Sequence, residues 1–112
     1  MSKAMIIATD SIGSNNYELG TVLMTSFFMN LAENPDPPCS IHFLNEGARL
    51  TCEGSRVIDF IKRLEARGVE IATCQTCLEY LNIEEGLLVG NVGSMFGTVN
   101  AVLPAENTIV IA

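Results

Sequence analysis

Four cysteines, Cys39, Cys52, Cys74 and Cys77, are the residues of this 112-residue chain best suited to covalent chemistry. The run Cys74-Gln75-Thr76-Cys77 sets two thiols about one helical turn apart, so one sulfur can attack a group carried on the other. In a reducing compartment such thiols act as nucleophiles, metal ligands or buried hydrophobes before they act as structural disulfides. A structural zinc site needs four ligands, and here Cys52 and the single histidine, His42, would have to complete the set without metal-like spacing. Neither a metal nor a cofactor is therefore expected. A thioredoxin-like dithiol fits the Cys-x-x-Cys spacing, but that fold places its motif after the first strand of its core. Two inert buried thiols are the plain alternative. His42 lies between Ile41 and Phe43 in an apolar run and reads as a satisfied core histidine rather than a base.

The elements that must position these thiols alternate along the chain. Lys3 to Thr9 reads as a buried strand closed by Asp10-Ser11-Ile12-Gly13-Ser14. Asn15 with Glu18 has the form of a capping box, and Leu19, Val22, Leu23, Phe27 and Leu31 follow at helical spacing as the inner stripe. Met24, Phe28 and Met29 widen it into a surplus suited to a subunit contact or to deeper burial. Asn34-Pro35-Asp36-Pro37-Pro38 is a turn, and Cys39 to Leu44 a second strand. Ser55 can cap a helix with Val57, Ile58, Ile61 and Leu64 inside, stopped by Gly68. Val69 to Thr73 is a third strand followed by a short helix, Cys74 to Leu81. Leu87 to Val92 is a fourth strand, Ser94 to Leu103 a helix ended by Pro104, and Thr108 to Ala112 a fifth strand. This alternation predicts one domain spanning residues 1–112, a three-layer α/β/α sandwich with a mostly parallel five-stranded sheet covered on both faces.

In such a sheet, reacting groups gather beyond the carboxyl ends of the strands. The loops there carry Asp10 to Ser14, Asn45 to Gly54 with Cys52, the Cys74/Cys77 pair, and Gly93-Ser94. Cys74 opens a helix, where unpaired amides and the positive end of the helix dipole favour a thiolate, so it is the expected nucleophile. Cys77 is the expected resolving thiol and Cys52 an accessory one. Asp10, Ser11, Ile12, Gly13, Asn45, Gly93 and Ser94 are expected to line the pocket, with loop amides receiving anionic sulfur. Cys39 falls at the opposite edge and reads as a small buried hydrophobe.

Composition mainly excludes. Thirteen acidic against six basic residues give a net charge of −7, and a pI near 4.4 leaves no basic field for nucleic acid or an anionic membrane surface. Lys62, Arg63 and Arg67 cluster where a helix ends, as expected of cations there. The longest apolar-rich stretch, Leu19 to Ala32, falls short of the roughly 20 residues a bilayer requires. With no leader pattern, the cytoplasm is the expected location. A mean hydropathy of +0.33 argues against disorder. The apolar excess instead suggests a homo-oligomer.

Several stretches resemble the C-terminal domain of YedF-type proteins, members of the DsrE-like superfamily of sulfur-relay proteins. They are Thr9-Asp10-Ser11-Ile12-Gly13, Glu18-Leu19-Gly20, Phe43-Leu44-Asn45-Glu46-Gly47, Leu50-Thr51-Cys52-Glu53-Gly54-Ser55, Gly68-Val69-Glu70-Ile71 and Cys74-Gln75-Thr76-Cys77-Leu78. The resemblance spans the chain from first strand to last. It implies a persulfide-bearing cysteine after the third strand, aligned with Cys74 when counted back from Ile83, together with oligomeric assembly and a link to sulfur or selenium metabolism. Full-length YedF-type proteins carry a TusA-like domain ahead of this one. Here the chain starts at the first strand, which implies a sulfur donor or acceptor on another chain, such as a TusA-like protein. Two other functions stay open: a thiol-disulfide oxidoreductase or redox sensor using Cys74 and Cys77, and an oligomeric binding module with inert thiols.

Overall fold

Short apolar runs alternate with helical segments, and each run pairs in parallel with its neighbours. A computed structural model describes residues 2–112. The strands are β1 (Lys3–Ile7), β2 (Ser40–Phe43), β3 (Glu70–Cys74), β4 (Asn91–Gly93) and β5 (Asn107–Ile111). They form one all-parallel sheet in the order β4-β3-β2-β1-β5. The helices are α1 (Tyr17–Glu33), α2 (Ile58–Ala66), α3 (Gln75–Tyr80) and α4 (Met95–Val102), and a 3-10 segment, Asn45–Thr51, follows β2.

Side-chain alternation on β2 separates the layers. Ile41 and Phe43 point into the core with Met24 and Phe28 of α1 and Ile61 and Leu64 of α2. His42 points to the other face, where its Nδ1 meets Thr98 Oγ1 of α4 at 3.5 Å. Connections from β1 to β4 all step one way along the sheet, and the last one, through α4, steps back to the far side of β1. With right-handed crossovers, that reversal puts α4 on the face opposite α1 and α2. The sandwich is thus three-layered, but its second layer is thin. Thr98 is the buried residue of α4, while Phe96, Val99 and Leu103 are exposed, as is Val110 of β5. The expectation of two covered faces therefore holds on the α1/α2 side and fails towards β5.

Helix α1 is rotated by one residue from the sequence expectation. Its cap is not Asn15 but Asn16, whose Oδ1 accepts the Leu19 N–H at 3.0 Å. Its buried positions are Gly20, Met24, Phe28 and Ala32, while Leu19, Val22, Leu23 and Met29 are exposed. Gly20 sets this rotation: a Cβ there would lie 1.9 Å from Ser11 Oγ and 2.6 Å from the Ile12 carbonyl oxygen. The helix closes on the loop after β1 through its one residue without a side chain. Met24 and Phe28 are therefore core, and the apolar surplus sits on the Leu19 side.

Helix α2 starts at Ile58 with Val57 as its cap, so Ser55 does not cap it; Ser55 Oγ instead accepts the Val57 N–H at 3.2 Å in the turn before it. Val57, Ile61 and Leu64 are buried as expected. Its end is a Schellman turn at Gly68, φ 95°, with Val69 N–H bonded to Leu64 O at 3.1 Å. Strand β4 is shorter and later than the predicted 87–92, because Leu87 bridges Cys52 antiparallel instead. Cys39 is exposed rather than buried, and Pro38 is the buried residue of that turn.

Candidate functional site

Cys74 ends β3 and caps α3, with backbone φ −60° and ψ 125°, and is 7% exposed. Gly93 is its register partner on β4. Helix α3 leaves toward the 3-10 segment, where Leu78 packs on Ala48 and Cys52. That segment is on the α1/α2 side, since Thr51 Oγ1 and Thr73 Oγ1 hydrogen-bond at 2.8 Å. Helix α4 leaves β4 on the opposite side. The adjoining ends of β3 and β4 are therefore a topological switch point, where a crevice opens between loops that diverge.

The Cys74 thiol makes no capping hydrogen bond to α3. The amide that reaches a sulfur at this site is another one: Asn45 N–H donates to Cys77 Sγ at 3.1 Å. Asn45 has φ 51°, in the left-handed region, and its Oδ1 accepts the Glu46 N–H at 2.8 Å. Asparagine tolerates this conformation because its short polar side chain can bond locally. Cys77 is half-buried and lies in the first turn of the helix that Cys74 caps, near enough for the Cys74 thiol to act on it electrostatically. Burial pushes the Cys77 thiol up, the hydrogen bond from the Asn45 amide opposes this, and the neighbouring Cys74 adds to the rise.

Cys52 lies in the small cluster with Ala48 and Leu78, against which Cys77 also packs. Its thiol donates toward Ala48 O at 3.4 Å and Ile83 O at 3.8 Å, and burial raises its pKa. Of the three thiols expected at this edge, Cys74 and Cys77 share α3, while Cys52 is buried in the cluster that Cys77 packs against and also lines a separate cleft with Asp10 and Arg49.

The expected pocket residues divide among separate clefts. Asp10, Ser11 and Gly13 line one of about 540 Å³ with Tyr17, Glu46 and Arg49. Gly93 and Ser94 line another, of about 330 Å³, with His42, Glu70 and Gln75. Two amides of the first loop are already engaged: Ser11 N–H donates to Thr9 Oγ1 and Ile12 N–H to Gly20 O, both at 3.1 Å. Of the expected pocket residues, Gly93 pairs with Cys74 and Asn45 touches Cys77. The Asn45 contact itself escaped sequence reading; its one signal is an asparagine directly after a strand and before Glu46-Gly47.

His42 is satisfied, with Nε2 3.0 Å from Ser40 Oγ. Burial lowers its pKa, and the charge of Glu70 opposes this. A histidine depressed in the folded state resists protonation while the unfolded chain accepts it near the usual value of about 6.5. Its stability contribution is thus whole above that pH and is lost as pH falls toward the folded value. Urea midpoints at about pH 7.5 and 5.5 should fall more for the wild type than for His42→Gln, whose curve lacks this proton uptake. Equal falls would refute the assignment.

Among the described residues, no three His, Cys, Asp or Glu side chains are placed to hold a metal ion, and no helix is long and apolar enough to cross a membrane. By sequence, no protein family and no curated protein matches the chain. By structure, it is similar to the YchN protein of E. coli, with a TM-score of 0.74 and 17% identity over 99% of this chain and 100% of that one. It is also similar to MTH1491, a protein of unknown function from Methanobacterium thermoautotrophicum, with a TM-score of 0.63 and 20% identity over 88% and 87% of the two chains. The parallel sheet ordered β4-β3-β2-β1-β5, its flanking helices and this end-to-end likeness to YchN identify the DsrE-like fold.

Proposed function

We propose that this chain is a cytoplasmic sulfur carrier that holds sulfane sulfur as a persulfide on Cys74, with Cys77 as its exchange partner. The observation that carries this reading is a pair of thiols one helical turn apart, Cys74 capping α3 and Cys77 in its first turn, at the switch point of a DsrE-like sheet. Burial of Cys74 suits a carrier, because a persulfide held away from solvent is protected from stray thiols and oxidants. The resemblance of the Cys74 to Leu78 and Leu50 to Ser55 stretches to YedF-type proteins supports sulfur or selenium as the cargo and a TusA-like protein as donor or acceptor. The exposed apolar side of α1, formed by Leu19, Val22, Leu23 and Met29, supports assembly with further copies.

The protein is loaded from a cysteine desulfurase with cysteine, stripped of excess donor by gel filtration, alkylated, and sequenced by fragmentation mass spectrometry. One added sulfur is expected on Cys74, and Cys74→Ser should retain about one tenth or less of the wild-type sulfur. Sulfur retained on Cys39 or Cys52, or on no cysteine, would sink this reading. The one-turn spacing of Cys74 and Cys77 also favours a second one, a thiol-disulfide oxidoreductase. That activity would appear as a reversible Cys74–Cys77 disulfide that turns over a model disulfide substrate without any sulfur loading.

A further inference from the structure

The two thiols of the pair differ in what can reach them. Cys74 is nearly enclosed, whereas Cys77 is half-buried beside the exposed Gln75, Thr76 and Tyr80. A donor persulfide must bring its terminal sulfur into line with the attacking thiolate, and the sulfur open to such an approach is that of Cys77. Among the described residues, the one backbone N–H that donates to either sulfur ends on Cys77, from Asn45. Asn45 is held for this by a left-handed backbone and by its own Oδ1 bond to the next amide. A donor fixed in this way lowers the cost of charge on Cys77 Sγ without reorganising as the charge forms. Finally, Cys74 caps the helix whose first turn holds Cys77, a spacing that brings a group on one sulfur within reach of the other.

We propose that Cys77 is the port of this site: sulfur arrives on Cys77 from an external persulfide and is handed inward to Cys74, while the Asn45 amide holds the charge on Cys77 at each exchange. The proposal rests on the persulfide reading above and reverses the order in which the motif suggests the two thiols act. In the first exchange, Cys77 gives up its proton and its Sγ attacks the terminal sulfur of the donor R–S–SH. The new bond forms on Cys77, the donor S–S bond breaks, and its electron pair leaves on R–S⁻, which takes the released proton. In the second, Cys74 loses its proton and its Sγ attacks the same terminal sulfur. The bond to Cys77 breaks, and its pair returns to Cys77 Sγ, where Asn45 N–H awaits it and the proton from Cys74 restores the thiol. One sulfane sulfur has moved and no thiol has been oxidised, so neither exchange needs a reductant.

Rapid mixing with the persulfide form of a cysteine desulfurase, followed by quenching with an alkylating agent, reads the order directly. In the wild type, persulfide is expected on Cys77 first and on Cys74 later. Cys77→Ser should slow loading of Cys74 about tenfold or more, and Cys74→Ser should carry sulfur transiently on Cys77. The role of Asn45 is read from the pH profile of Cys77 alkylation in the Cys74→Ser background. Asn45→Gly, which keeps the N–H and readily adopts the left-handed backbone but loses the Oδ1 bond, should move the profile by less than half as much as Asn45→Val. Asn45→Val, which resists that backbone, should move it upward by about one unit. Wild-type loading of Cys74 in Cys77→Ser, or sulfur on Cys74 before Cys77, overturns the port and leaves the carrier reading standing. Sulfur on neither residue in the wild type overturns both. An unmoved profile in Asn45→Val removes Asn45 from the mechanism.

Discussion

Gly47→Ala is expected to lower the unfolding free energy by about 3 kcal/mol, at the upper end of the usual cost of overpacking. At about 4 °C per kcal/mol, that is a fall of roughly 12 °C in Tm. Gly47 lies in the 3-10 segment after β2, where the chain crosses the end of β1. A Cβ there would sit 2.2 Å from the Ile7 carbonyl oxygen, 2.9 Å from its carbon and 3.2 Å from the Thr9 nitrogen. These are backbone atoms, so no rotamer change relieves the clash. The same Ile7 oxygen accepts the Leu44 N–H at 2.9 Å, so moving it loosens the junction that ends β2. Gly97→Ala is the matching control. Its Cβ would meet only Ser94 Oγ, at an ordinary 3.5 Å, inside α4. Alanine there should leave stability unchanged or raise it by up to about 1 kcal/mol. Heat or urea unfolding of both variants decides the matter, and a loss below about 1 kcal/mol for Gly47→Ala would mean that the segment can shift. Because Asn45 opens the same segment, Gly47→Ala should also disturb the alkylation profile of Cys77.

What the sequence made legible follows from how local each signal is. Strand identity came through, since runs such as Lys3 to Ile7 and Ser40 to Phe43 are short, apolar and bounded by turn residues. The position of Cys74 at a strand-to-helix junction was equally local. The facing of α1 was not, because from Leu19 to Ala32 the helix is apolar nearly all round and the pattern fits more than one rotation. Its rotation is set by Gly20 against Ser11 and Ile12, a contact between distant segments. The same holds at the site. The Cys-x-x-Cys motif could be read from four residues, whereas the Asn45 amide reaches Cys77 across 32 positions and only through a left-handed backbone. The loop amides of Ser11 and Ile12 looked available as sequence, yet each has a partner once the loop folds against α1.

Phe28→Ala should cost about 4 kcal/mol, in the range usual for truncating a buried phenylalanine. Phe28 is fully buried, with its ring stacked on Phe43 at 6.1 Å between centroids and edge-on to Phe27 at 5.4 Å. It therefore holds α1 to β2, the strand whose end presents Asn45 to Cys77. Truncation leaves a cavity in a layer where Met24 and Ile41 are also fully enclosed, and neighbours so confined can collapse only in part. Leu23→Ala tests the rotation of the helix from the other side. Leu23 is 44% exposed, so it has much less burial to lose and should cost under about 1 kcal/mol. The order of the two losses is the decisive quantity. If urea unfolding showed Leu23→Ala to be the costlier change, α1 would have to be turned by a residue. Gly20 would then leave its contact with Ser11 and Ile12, and the loop after β1 would lose the hydrogen bond from Ile12 N–H to Gly20 O that anchors it.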